Sequence, residues 1–185
     1  MTEHLWWLVA RSSGLVAWGL AVASVLWGVA LATRALGSRP RAPWLLDLHR
    51  HLGGLTVLFA ALHVGALVAD SYVSFDLVDV LVPFASSWRP GAVAWGVVSL
   101  WLLAAVEITS LLMKRIPKLW WRRVHLTSYV VAVAATVHLF TAGTDATTTL
   151  LRWVVIVVGA ALAFFLLYRE LAPAKRARVP VRKPA

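Results

Sequence analysis

The chain contains no cysteine, which excludes disulfides, thiolate metal sites, iron–sulfur clusters and cysteine nucleophiles. Charge is scarce too: 14% of the 185 residues are charged and only eight are acidic. So low a charge content excludes a disordered chain. What fills the sequence is apolar: 61% of its residues, against roughly 45–50% in a soluble domain. The mean hydropathy is +0.78. That balance excludes a soluble globular enzyme, and the length holds one compact membrane domain with no separate catalytic module. A net charge of +10 does not point to nucleic acid as a partner. The basic residues stand in short blocks between apolar stretches, as in membrane proteins.

A bilayer core about 30 Å thick is crossed by roughly 20 apolar helical residues. Five stretches approach or reach that length, at about 5–32, 49–69, 90–113, 121–142 and 147–168. The expected fold is therefore an all-α integral membrane bundle of five transmembrane helices. The first is no cleaved signal, because its apolar run is too long and no basic region precedes it. Basic residues then set the orientation. Arg34, Arg39, Arg41 and Arg50 lie between the first two spans, and Lys114, Arg115, Lys118, Arg122 and Arg123 between the third and fourth. Arg169, Lys175, Arg176, Arg178, Arg182 and Lys183 follow the fifth. Fifteen of the 18 basic residues thus share one side, and only Arg11, Arg89 and Arg152 take the other. The positive-inside rule places the N-terminus outside and the C-terminus in the cytoplasm.

Two connections have character of their own. Over about 71–89, apolar positions recur every three or four residues around Asp76 and Asp79, which predicts a short helix in the outer interface. The end of the chain, 171–185, is basic and broken by proline, as expected of a disordered cytoplasmic tail lying near anionic lipid. Trp6, Trp7, Trp44, Trp88, Trp120, Trp121 and Trp153 fall near the span ends, where tryptophan anchors a helix at the lipid headgroups.

The histidines are the sharpest signal. Five of six lie in or at the ends of two spans: His49, His51 and His63 in the second, His125 and His138 in the fourth. Ionisable side chains inside a membrane are expensive and tend to be functional. His49 and His63 are 14 residues apart and His125 and His138 are 13 apart. At 1.5 Å rise per residue, both separations are roughly 20 Å along the helix. Both spans run outward from the cytoplasm, so His49 faces His125 near the inner surface and His63 faces His138 near the outer. A haem iron takes axial ligands on opposite faces, and imidazole is a common one. Two facing pairs at two depths suit two bis-histidine b-type haems, with His49 and His125 on the inner iron and His63 and His138 on the outer.

The helical phase is uneven. Fourteen residues bring His63 to within roughly 40° of the His49 face, whereas 13 residues carry His138 far from the His125 face in an ideal helix. Either a π-bulge or 3₁₀ turn corrects the fourth span, or the two haems are approached at different angles. His51 competes with His49 as the inner ligand but fits the His63 face less well. Gly53, Gly54, Gly65, Ala132, Ala134 and Ala135 either leave room for a macrocycle or serve ordinary close packing. Haem propionates need cationic or hydrogen-bonding partners. Arg11 and Arg89 are the outer candidates; Arg11, which interrupts an apolar run, alternatively snorkels to the surface. Glu107, the one acid within a span, either pairs with a base of the following loop or handles a proton or quinol.

These residues resemble the ferric reductase-like transmembrane domain superfamily, which includes ferric-chelate reductases, NADPH oxidases and the haem subunit of the bacterial methionine sulfoxide reductase system. The resemblance rests on DLHRHLGGLTVLFAALH around His49 and His63, and on WWRRVHLTSYVVAVAATVH around His125 and His138. ARSSGLVAWGL, VPFASSWRP and HLFTAGTDA are similar to short stand-alone members from actinobacteria, and the likeness covers about 5–168. It implies haem b ligation by His49, His63, His125 and His138, electron transfer across the membrane, and a multi-pass place in a bacterial plasma membrane. Larger members have one more span and a flavin- and nicotinamide-binding module. No βαβ unit or glycine-rich phosphate loop follows the fifth span here. The electron donor is then expected to be a separate flavoprotein, a ferredoxin-type protein or a quinol, and the acceptor to be extracytoplasmic, ferric iron or a redox partner. The outer acids Asp70, Asp76, Asp79 and Asp145 either attract such an acceptor or are simply solvated. A quinol-oxidising cytochrome b subunit would add a quinone pocket beside the inner haem. A transition-metal or proton transporter would instead gather its histidines at one depth.

Overall fold

The computed structural model describes residues 5–33, 43–71, 75–144 and 148–171. Within them every regular element is a helix: α1 (Leu5–Thr33), α2 (Pro43–Ala69), α3 (Leu77–Leu81), α4 (Pro90–Leu111), α5 (Lys118–Leu126), α6 (Ser128–Ala142) and α7 (Thr149–Leu171). Four helical stretches among the described residues are long and apolar enough to cross a membrane: α1, α2, α4, and α5 with α6 taken together as Lys118–Ala142. The fifth expected stretch, 147–168, lies on α7 (Thr149–Leu171), which is not one of these four. The tail expected over 171–185 lies outside the described residues beyond Leu171.

The helices persist where backbone groups have no water to bond, and their hydroxyl side chains follow the same logic. Ser13, Thr56, Thr109 and Thr136 bond carbonyls three or four residues earlier in their own helices, so each polar group is satisfied without leaving the helix. α2 begins six residues before the expected start, because Pro43 at its first position is pre-set for helix and the polar turn Asp47–His51 continues it. Hydropathy marks the apolar part of a helix and not its end. Of the segment expected as a short outer helix, the described residues are helical over Leu77–Leu81. There the Asp76 carboxylate accepts from the Val78 and Asp79 N–H groups, and the Asp79 carboxylate accepts from the Asp76 N–H. The two acids therefore form a capping box.

α1 lies along α2, and α4 lies along α6, giving two hairpins. α1 also reaches α6 and α7, while α2 and α4 touch over a shorter stretch. The buried side of α1 carries Ala10, Ser13, Ala17 and Ala21, small residues that let helix backbones approach closely in lipid. Toward one end, Val25, Val29 and Ala132 pack with Tyr129, Leu162 and Phe165. Toward the other, Phe75, Val80, Val93 and Val97 pack with Val64 and Leu67. Indole N–H groups link the elements: Trp18 to Thr136 Oγ1 at 2.9 Å, Trp27 to the Leu45 carbonyl at 2.9 Å, and Trp101 to the Leu81 carbonyl at 2.8 Å. Leu58, Trp101, Val133 and Ile156 point outward, as lipid-facing side chains do.

Candidate functional site

The space between the two hairpins is where the histidines meet. His63 on α2 and His138 on α6 bring their ring centroids to 6.3 Å, with the planes 77° apart. His49 on α2 and His125 on α5 repeat the arrangement at 5.9 Å and 75°. His51 takes no part: it is exposed and its Nδ1 bonds the Asp47 carbonyl at 2.8 Å.

The second partner of each ring fixes its working nitrogen. His63 Nδ1–H donates to the Ala10 carbonyl at 2.7 Å, and His138 Nδ1–H to the Ala92 carbonyl at 2.8 Å. A carbonyl only accepts, so Nδ1 carries the proton and Nε2 keeps a free lone pair. At the inner pair the Nδ1 atoms face hydroxyls, His49 with Ser24 Oγ at 3.3 Å and His125 with Ser110 Oγ at 3.4 Å. Metal-bound histidines commonly have their other nitrogen committed in this way. A metal held by two imidazoles with bonds of about 2.0–2.1 Å separates the ring centroids by roughly 6.3 Å. Both pairs have the donor set and spacing for two axial ligands. No cluster of three or more histidine, aspartate or glutamate side chains with metal-site geometry occurs among the described residues.

A cavity of about 370 Å³ surrounds the outer pair and is lined mostly by apolar side chains from α1, α2, α4 and α6. Arg11 and Asp70 lie on its lining with His63 and His138. The Arg11 guanidinium sits over the Trp7 ring at 5.1 Å. Asp70 is buried, its Oδ1 without a hydrogen-bond partner among the described residues. Arg89 is not on the lining. It caps α4 in the left-handed region (φ 43°), donates to the Thr141 carbonyl at 3.0 Å and covers Trp88. Asp76 and Asp79 are engaged in the α3 cap, and Asp145 lies outside the described residues.

The uneven phase of the fourth span has a local cause. α5 ends at Leu126 and α6 starts at Ser128. At the break, the Thr127 N–H bonds the Val124 carbonyl at 2.9 Å, an i to i+3 turn that winds tighter than α-helix. Each histidine of this span thus stands on its own helical segment. Glu107 makes no ion pair with the loop bases among the described residues, contrary to one expectation. Its carboxylate packs against Gly53, one turn from His49.

Several neighbours of the rings are absent from the histidine pattern. Trp121 stacks on His125 at 5.1 Å and 25°, one turn before it on the same helix. Gly14, Gly28 and Gly96 lie under His63, His49 and His138: a Cβ there would come within 2.8, 3.1 and 2.8 Å of the respective ring. Gly54 and Gly65 on α2 have open space at their Cβ positions, Gly53 meets the Glu107 carboxylate, and Ala135 lines the cavity.

A family model described as ferric reductase like transmembrane component matches residues 13–136. The chain belongs to this family. The match runs from α1 into α6 and includes His49, His63 and His125, with His138 two residues beyond it. No curated protein and no solved structure matches the chain. Family and apolar helices together make it a multi-pass membrane protein and a component of a membrane oxidoreductase.

Proposed function

We propose that the chain is a membrane cytochrome b that carries electrons across the bilayer through two haems. His49 and His125 hold the inner iron, and His63 and His138 the outer. The observation that carries this reading is the repeated geometry of two imidazole pairs near 6 Å, each ring with its Nδ1 committed to a partner on a neighbouring helix. Haem supplies reversible one-electron chemistry when bound. The protein's own part is to orient four Nε2 lone pairs, surround the outer pair with apolar side chains, and place Arg11 on the outer side as a propionate partner. Five spans, with the N-terminus outside and the C-terminus inside, complete the proposed topology. Electrons come from a separate cytoplasmic flavoprotein, a ferredoxin-type protein or a quinol, and leave to ferric iron or a redox protein outside. The transporter reading needs its histidines gathered at one depth, and the two-level pairing favours the haem reading over it.

Glu107 favours a second, narrower reading. An acid without an ion pair among the described residues, beside Gly53 and one turn from His49, would suit proton acceptance from a quinol at the inner haem.

The test is a reduced-minus-oxidised visible spectrum of the purified protein with haem quantified per polypeptide. Two haems b per chain are expected. No haem, in cells supplied with it, would refute the proposal.

A further inference from the structure

Three of the four histidines rest on a glycine, and in each case the acceptor of the ring's Nδ1 belongs to the residue four positions before that glycine. His63 has Ala10 and Gly14, His49 has Ser24 and Gly28, and His138 has Ala92 and Gly96. Helix geometry gives the reason. A helical side chain leans toward the N-terminus and covers the turn before its own Cα. A residue at the fourth position therefore screens the acceptor of the first, and glycine leaves it open. Helix α1 carries the device twice: the 14 residues from Gly14 to Gly28 repeat the 14 from His49 to His63 on α2.

The fourth histidine departs from the pattern in an informative way. The antiparallel count that sets Gly96 against His138 sets Thr109 against His125. Thr109 takes the Ala105 carbonyl with its own hydroxyl at 2.7 Å. His125 meets Ser110 instead, and Trp121 stacks on it.

We infer that Gly14, Gly28 and Gly96 are positioning residues, each exposing the acceptor that fixes one haem-ligating imidazole in tautomer and direction. The inference rests on the haem reading above. Its test uses the full-length protein expressed with haem and reads each haem separately, by redox titration and by the low-spin ferric signal. Gly14→Ala and Gly96→Ala perturb only the haem that His63→Ala removes, with haem retention falling about 10–100-fold, as for outer-shell partners of metal ligands. Gly28→Ala does the same to the haem that His49→Ala removes. Gly19→Ala, on the same helix with nothing within 4 Å of its Cβ position, leaves both haems unchanged. Ser24→Ala removes the hydroxyl at His49 Nδ1 without adding bulk and shifts the potential of the inner haem alone, which keeps the test open should the alanine variants fail to accumulate. Equal effects on both haems, or none from Gly14→Ala, Gly96→Ala and Ser24→Ala, overturn the inference while two haems in the wild type leave the haem reading standing. A wild-type chain without haem overturns both.

Discussion

The outer and inner histidine pairs share a spacing and differ in how they are held. The outer rings lie in a largely apolar cavity and donate to backbone carbonyls at 2.7 and 2.8 Å. The inner rings face serine hydroxyls at 3.3 and 3.4 Å, and one of them is steadied by a stacked tryptophan. A carbonyl is fixed by its helix, whereas a hydroxyl rotates and also bonds its own backbone, as Ser110 does to Val106. The outer level is held through main-chain acceptors alone and the inner level through side chains as well. Substitutions should therefore reach the inner level more easily without disturbing the fold.

The sharpest way to break the comparison is to remove one ring. His63→Ala should leave one haem per chain of the two, and His51→Ala both, as read by haem quantitation; equal losses would refute the pairing. Trp121→Leu should act on the inner level alone. Loss of an aromatic contact of about 0.5–1.5 kcal/mol lowers inner haem retention roughly 2- to 12-fold, with the outer signal intact. Trp18→Phe, on the lining of the outer cavity, should spare the inner level. It loses a bond from α1 to Thr136 worth about 1 kcal/mol, seen as a lower Tm with the inner haem signal unshifted. Glu107→Gln should be the mildest. With no ion pair to lose, stability changes by less than about 0.5 kcal/mol, while reduction by a quinol is lost if the second reading of the site holds. A large drop in Tm would reveal a partner for Glu107.

Much of this was legible in the sequence, for identifiable reasons. An apolar run advertises itself, so the spans fall close to where hydropathy sets them. The exception is the start of α2, which lies ahead of the expected one. The histidines stand out because an ionisable group in lipid is costly. The phase mismatch of 13 residues left a helix irregularity and a different haem approach equally open, and the span does carry a tighter turn at Thr127. The seats of the rings were hidden because they lie on other helices. Glycines on α2 were the natural place to look for room, yet the glycines under the rings belong to α1 and α4. A trace existed nonetheless: Gly14 and Gly28 repeat the 14-residue step of His49 and His63. The role of Asp76 and Asp79 was also hidden, since an acid three residues from an acid reads equally as solvated charge and as a cap.

The division into two hairpins bears on how the protein is made. Lipid tails give apolar helices no reason to prefer one another, so association rests on close packing and hydrogen bonds. Each hairpin has a long packed seam of its own, while α1 meets α6 and α2 meets α4 over shorter stretches, and the histidines of α2 face those of α5 and α6 between the halves. Biogenesis then has a natural order, in which each hairpin is inserted and zipped first and the halves dock last. A ligand gripped from both sides would act as the rivet of that final step.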